Sequence, residues 1–223
     1  MRAVVTLLRG KRDAAIARGM TDQPDDHARH NEKMRRMKVA RDRMQARRTL
    51  ERGLLIVHTG NGTGKSSSAF GMAIRSIGWG MRVAILQFVK GTWETGERNF
   101  FADHPSDLVS FESMGEGFTW DTQDRARDIA AARRGWERAK ELILDPEIDF
   151  VILDELNIVL ADDTLPAAEA LAFLKDRPLT KHICITGRGA RPELVEIADL
   201  VTEFGEVKHP FNAGFNAQKG VEY

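Results

Sequence analysis

Eight consecutive residues constrain this chain more than any others. Thr59-Gly60-Asn61-Gly62-Thr63-Gly64-Lys65-Ser66 stands between the apolar run Leu54–His58 and a segment with Phe70, Ala73, Ile74 and Ile77 at helical spacing. Glycines let a backbone turn tightly and aim several N–H groups at one point. The helix that follows adds partial positive charge at its N-terminus, and Lys65 adds a full charge. Ser66, directly after the lysine, is placed to give its hydroxyl to Mg²⁺. Between a strand and a helix, Gly60–Ser66 predicts a bound nucleotide triphosphate. The plain alternative, a glycine-rich turn with a surface lysine, does not account for that context.

The loop is one residue short. The common pattern has glycine five positions before the glycine that precedes lysine, and Thr59 stands there. A shorter cradle implies a triphosphate seated differently from that of ordinary ATPases. A second element complements the loop: Phe150-Val151-Ile152-Leu153-Asp154-Glu155 is an apolar strand ending in two carboxylates. In a parallel sheet that strand end lies near the phosphate loop, so Asp154 or Glu155 is a candidate ligand for Mg²⁺ or its waters. Adjacent residues leave a strand in different directions, so one of the two is expected to contact the metal directly. An isolated acidic pair at a strand end would read as a salt bridge or cap.

From Gly53 onward, short apolar runs alternate with amphipathic segments. Leu54–His58, Arg82–Phe88, Leu108–Glu112, Phe150–Asp154, His182–Thr186 and Leu200–Phe204 read as strands, several apolar on consecutive residues. Helical faces run through Phe70–Ile77, closed by Gly78 or Gly80, through Ile129–Ile143, and through Ala167–Leu174, with Pro166 suited to a first turn. Such alternation predicts an α/β fold with a mostly parallel sheet flanked by helices.

Residues 1–52 differ in composition, with 15 Lys/Arg against 7 Asp/Glu in a chain of zero formal charge. They read as a basic N-terminal extension with a turn-prone break at Thr21–Asp26 and a helix at about 30–50. That helix has only a weak apolar stripe, Met34, Met37, Val39 and Met44. A basic arm suits nucleic acid, but no aromatics interleave its charges for base stacking, so a solvated helix is expected and nucleic acid is not. No apolar run is long enough to cross a membrane. The start of the chain lacks the pattern of a secretory signal, and the single cysteine, Cys184, cannot pair internally. A cytoplasmic location is expected.

Three more segments follow predicted strands and carry more Gly, aromatic and charged residues than connections need: Gln87–Arg98, Met114–Asp121 and Thr186–Gly189. Ligands bind at that end of open parallel sheets. Phe118 and Trp120 flank a glycine-rich turn, and Arg188 lies between glycines, where it is a candidate phosphate contact. Plainer readings are loop anchors for the aromatics and a solvated turn for the arginine.

Taken in order, HTGNGTGKSS, QFVKG…GERN, GEGFTW, VILDELN, ITGRG and VKHPFNAGFNAQKGVEY resemble the P-loop-type cob(I)alamin/cob(I)yrinic acid a,c-diamide adenosyltransferases, from about His30 to Tyr223. The resemblance implies a RecA-like P-loop fold, usually in a homodimer, with residues 53–223 as the nucleotide- and corrinoid-binding domain. It implies ATP bound in an inverted sense on Gly60, Asn61, Gly62, Thr63, Gly64, Lys65, Ser66 and Ser67, with Arg188 nearby. It further implies Mg²⁺ (or Mn²⁺) on Ser66 and Glu155, with Asp154 beside it. Phe118 and Trp120 match aromatics that line the corrinoid site and displace its lower axial ligand. The basic helix resembles one that folds over the active site. Thr63 departs from the family, whose loops usually carry lysine there.

The implied chemistry is alkyl transfer. A corrinoid reduced to Co(I), with an external flavin-type donor as the electron source, attacks C5′ of ATP and the whole triphosphate leaves. Lys65, Phe118 and Trp120 are the residues expected to carry catalysis. The corrinoid is either a biosynthetic intermediate or complete cobalamin. Two other classes share the loop and the strand carboxylates: a P-loop kinase or ATPase, which releases ADP, and a non-catalytic module that binds ATP and corrinoid.

Overall fold

A computed structural model describes residues 24–89, 94–103, 107–114 and 124–221. Six strands form one sheet: β1 (Leu55–Thr59), β2 (Val83–Gln87), β3 (Val109–Ser113), β4 (Phe150–Asp154), β5 (His182–Ile185) and β6 (Leu200–Glu203). Their order is β3-β2-β4-β5-β1-β6, and every pairing is parallel. Each strand lies within a residue or two of its predicted window, and the sheet is wholly rather than mostly parallel.

Seven α-helices are described, α1 (Pro24–Gln45), α2 (Lys65–Ile77), α3 (Gly96–Asp103), α4 (Arg125–Leu144), α5 (Leu156–Ala161), α6 (Ala167–Lys175) and α7 (Pro192–Ile197), with a short 3-10 helix at Pro210–Ala213. The sequence predicts α2, α4 and α6 but not α3, α5 and α7. Those three have six to eight residues, too few turns for a 3.6-residue period to show. Gly96–Arg98, read as loop, opens α3 instead. Helix α1 starts and ends about five residues earlier than the predicted 30–50. Pro24–Asp26, part of the break expected at Thr21–Asp26, instead open its first turn, where proline is tolerated, and residues 21–23 lie outside the described residues.

Alternate residues along the strands feed two cores, as a parallel sheet covered on both faces requires. On one face Ile56, Ile85, Phe150, Ile152 and Cys184 meet Ala69, Phe70 and Ala73 of α2 and Phe101 of α3. On the other, Leu55, Val57, Leu86, Val151, Leu153 and Ile183 meet Trp136 of α4, Leu156 of α5, Leu174 of α6 and Leu194 of α7. The connections β1-α2-β2 and β2-α3-β3 run one way along the sheet, and those through α4 to α7 run back. Right-handed crossovers then put the two helix sets on opposite faces. Trp136, fully buried and edge-on to Phe173 at 5.6 Å, anchors α4. Asp124 caps α4 by accepting from the Arg127 N–H at 3.1 Å.

The chain divides into two compact units, Met1–Glu51 and Arg52–Tyr223. Within the first, α1 is exposed almost throughout, and Glu32 pairs with Arg35 and Arg36 along its surface. The second unit contains the sheet and both cores. Its first residue is pinned by ion pairs in which Asp199 accepts from both Arg52 and Arg177.

Candidate nucleotide site

Strand β1 runs through Thr59, which pairs with Glu203 of β6. The position where ordinary loops have already left the strand is therefore still β-structure here. The Thr59 hydroxyl accepts from the Ala190 N–H at 3.1 Å, tying the loop's entry to the segment after β5. Gly60 (φ 94°) and Gly64 (φ 101°) adopt the left-handed backbone that favours glycine. A Cβ on Gly60 would lie 2.5 Å from the Phe204 carbonyl oxygen. The Gly62 N–H donates to that same oxygen at 2.7 Å. The loop is thus pressed from outside against the chain that leaves β6, a contact no local pattern signals.

Gly64 is the N-cap of α2 and provides no side-chain cap, so the first N–H groups of this 13-residue helix are left for an incoming anion. Lys65 is buried, and its Nζ donates to the Gly62 carbonyl at 2.5 Å. Burial pushes the Lys65 ammonium below its ordinary range; Glu155 opposes that shift and Arg188 adds to it. Beneath the loop His58 is buried, its Nδ1 3.2 Å from the Lys65 carbonyl oxygen and its ring edge-on to Phe204. A carbonyl only accepts, so Nδ1 carries the proton.

Strand β4 ends at the same edge, separated from β1 by β5. Asp154 is fully buried and accepts from Gln87 Nε2 at 2.9 Å and from the Thr186 hydroxyl at 2.7 Å. Glu155 turns into a left-handed conformation (φ 64°, ψ 16°), which costs a non-glycine residue about 1–2 kcal/mol. That turn lets α5 begin at once, while the Glu155 side chain lines a cavity of about 630 Å³.

Of the predicted binding set, Gly62, Thr63, Gly64, Lys65, Ser66, Ser67, Glu155 and Arg188 all line this one cavity. Gly60, Asn61 and Asp154 do not; Gly60 serves the turn, Asn61 is exposed, and Asp154 lies below the floor. Phe118 and Trp120 fall outside the described residues. Sequence reasoning missed the remaining walls: Phe70 and Ile74 of α2, Thr95, Gly96, Glu97, Phe100 and Phe101 around α3, and His209, Gly220 and Val221 near the C-terminus. GERN and VKHPFNAGFNAQKGVEY mark the neighbourhoods of the last two groups, yet neither motif says which side chains turn inward. One cavity therefore joins helix N–H groups, the cations Lys65 and Arg188 and the carboxylates Glu97 and Glu155 to aliphatic and aromatic walls, a mixture suited to a metal-bound polyanion carrying a flat base.

Among the described residues no cluster of three or more His, Cys, Asp or Glu forms a metal cage. The Ser66 hydroxyl and Glu155 carboxylate are hard oxygen donors in the same cavity. Such a pair suits Mg²⁺ or Mn²⁺ held jointly with substrate phosphates.

A glycine-rich loop opening a helix, on a parallel sheet with one strand inserted before the acid-ended strand, defines a nucleotide-binding protein of the RecA-like P-loop class. The family model described as ATP:corrinoid adenosyltransferase BtuR/CobO/CobP matches residues 51–223. A corrinoid adenosyltransferase of Pseudomonas aeruginosa is 51% identical over 204 residues, covering 92% of this chain and 100% of its own length. Another, from Sinorhizobium sp, is 49% identical over 212 residues, covering 95% and 99%. A third, from Escherichia coli K12, is 45% identical over 195 residues, covering 87% and 98%. The chain belongs to the ATP:corrinoid adenosyltransferase family.

Proposed function

We propose that the protein transfers the 5′-deoxyadenosyl group of ATP to the Co(I) centre of a reduced corrinoid. The observation that carries this reading is the meeting of the shortened phosphate loop, Arg188 and Glu155 in one cavity, in a chain of this family. The cobalt–carbon bond forms as the C5′–O bond breaks, and the electron pair departs on triphosphate. Cobalt is the nucleophile, so the protein orients the partners and stabilises charge on the leaving group. Lys65, Arg188 and the first N–H groups of α2 do this, with Gly60–Ser67 as the cradle. Ser66 and Glu155 would hold Mg²⁺ (or Mn²⁺), which neutralises phosphate charge when bound, and Asp154 would support Glu155 from below. Phe118 and Trp120 are assigned to the corrinoid, as apolar bulk that removes its lower axial ligand.

The same reading makes the enzyme a cytoplasmic homodimer served by an external flavin-type reductant, acting in adenosylcobalamin biosynthesis or salvage. Among the described residues no helix is long and apolar enough to cross a membrane. The test is purified protein with ATP, Mg²⁺ and chemically reduced corrinoid, followed by absorption and by assay of released phosphates. An adenosyl-corrinoid spectrum with one triphosphate per turnover is expected. ADP as the product would instead mark a kinase or ATPase, and ATP binding without spectral change would mark a binding module.

A further inference from the structure

We propose that Thr186 is a positioning residue, which with Gln87 and Asp154 holds the Glu155 carboxylate in the cavity for a nucleotide-bound divalent cation. This rests on the reading of Glu155 as a metal ligand. The assembly spans the ends of three strands. Gln87 closes β2, Asp154 closes β4, and Thr186 follows β5. All three are buried, with Asp154 and Thr186 fully so. The Thr186 hydroxyl has one proton, which it gives to Asp154 Oδ1 at 2.7 Å. Its lone pair accepts from the Glu155 N–H at 3.0 Å. The other Asp154 oxygen is occupied by Gln87 Nε2 at 2.9 Å.

The chain therefore orients each hydroxyl and amide in turn and ends on the backbone of the residue in question. Glu155 needs such a clamp because its left-handed conformation is unfavourable for a side chain other than Gly, Asn or Asp. Backbone bonds around Thr186 reinforce it: its N–H donates to Leu153 and its carbonyl accepts from Asn157, at 3.1 Å each. Gly187 completes the arrangement. At φ 122°, a Cβ there would stand 3.0 Å from Glu155 Oε2. Asp154 thus does its work without entering the cavity: its burial fixes the hydroxyl that fixes Glu155. Groups placed one bond behind a metal ligand commonly change metal affinity by about 10- to 100-fold when removed.

The experiment compares wild type with Thr186→Val, Thr186→Ser and Glu155→Gln, titrating ATP with EDTA present and again with Mn²⁺, and following bound Mn²⁺ by electron paramagnetic resonance. Thr186→Val is expected to keep metal-free ATP affinity within about twofold while losing about tenfold or more of the tightening by Mn²⁺. Thr186→Ser, which keeps the hydroxyl, is expected to restore it. Thr186→Val with wild-type Mn²⁺ dependence, or with equal losses in both titrations, overturns the inference. If Glu155→Gln loses the tightening and Thr186→Val does not, only the positioning role falls. If Glu155→Gln keeps it, the metal reading falls, and this inference with it. Should Thr186→Val not fold, Gln87→Leu tests the chain from its other end, and the same outcomes apply.

Discussion

At the scale of single residues, Lys65 and His58 occupy the two sides of the phosphate loop. Lys65 is buried beside Gly62 with Glu155 and Arg188 acting on its charge. In the proposed reaction its ammonium is the full positive charge offered to the departing triphosphate. Lys65→Ala is expected to lower turnover by about 10²- to 10³-fold, as loss of one preorganised charge-stabilising donor does; steady-state rates at saturating ATP check this. His58 makes a different prediction. Burial lowers its pKa, with the bond to the Lys65 carbonyl opposing. Imidazole in the unfolded chain titrates near its ordinary value of about 6.5. As pH falls below that value the unfolded state takes up a proton that the folded state refuses, so stability falls until the lower folded value is passed. Thermal unfolding between about pH 7.5 and 5 should therefore show a steeper acid-side loss in wild type than in His58→Gln.

At the scale of elements, the phosphate loop has a partner that its own sequence does not name. Gly60 and Gly62 close against Phe204 and Gly205, just beyond edge strand β6. The C-terminal segment past that point has no fully buried residue among those described, yet His209, Gly220 and Val221 wall the cavity. Removing residues 207–223 should thus leave the melting temperature nearly unchanged while weakening ATP binding. Calorimetric titration of the truncated chain, set beside its melting curve, tests the pair of expectations. A large drop in melting temperature would mean that the segment supports the core instead of the ligand.

At the scale of the whole molecule, the described core residues, from Leu55 to Leu194, all lie in the unit Arg52–Tyr223. Arg52 belongs with that unit because it pairs with Asp199, which also accepts from the Leu55 N–H at the start of β1. A chain beginning at Arg52 is expected to fold cooperatively, with a melting temperature within about 4 °C of the full chain, the shift that roughly 1 kcal/mol produces at this size. Circular dichroism melts of both proteins measure it. A non-cooperative melt of the shorter chain would show that residues 1–51 contribute to the fold.

Much of this was legible along the chain because its signals are local. A glycine-rich loop between strand and helix, apolar runs for buried parallel strands, and an acid pair closing one run depend on neighbours within a few residues. Ser66, Lys65 and the acidic pair Asp154–Glu155 followed from those signals, and the structure lines one cavity with Ser66, Lys65 and Glu155. Strand order is not local, and the sheet alone decided what meets at its edge. Placing β5 between β1 and β4 brought Thr186 onto Asp154 and the Glu155 backbone. Placing β6 beyond β1 brought Phe204 onto a loop about 140 residues earlier in the chain. Between the two carboxylates, adjacency said only that they diverge. Hydrogen bonds from two neighbouring strands turned Asp154 into the support and left Glu155 facing the cavity.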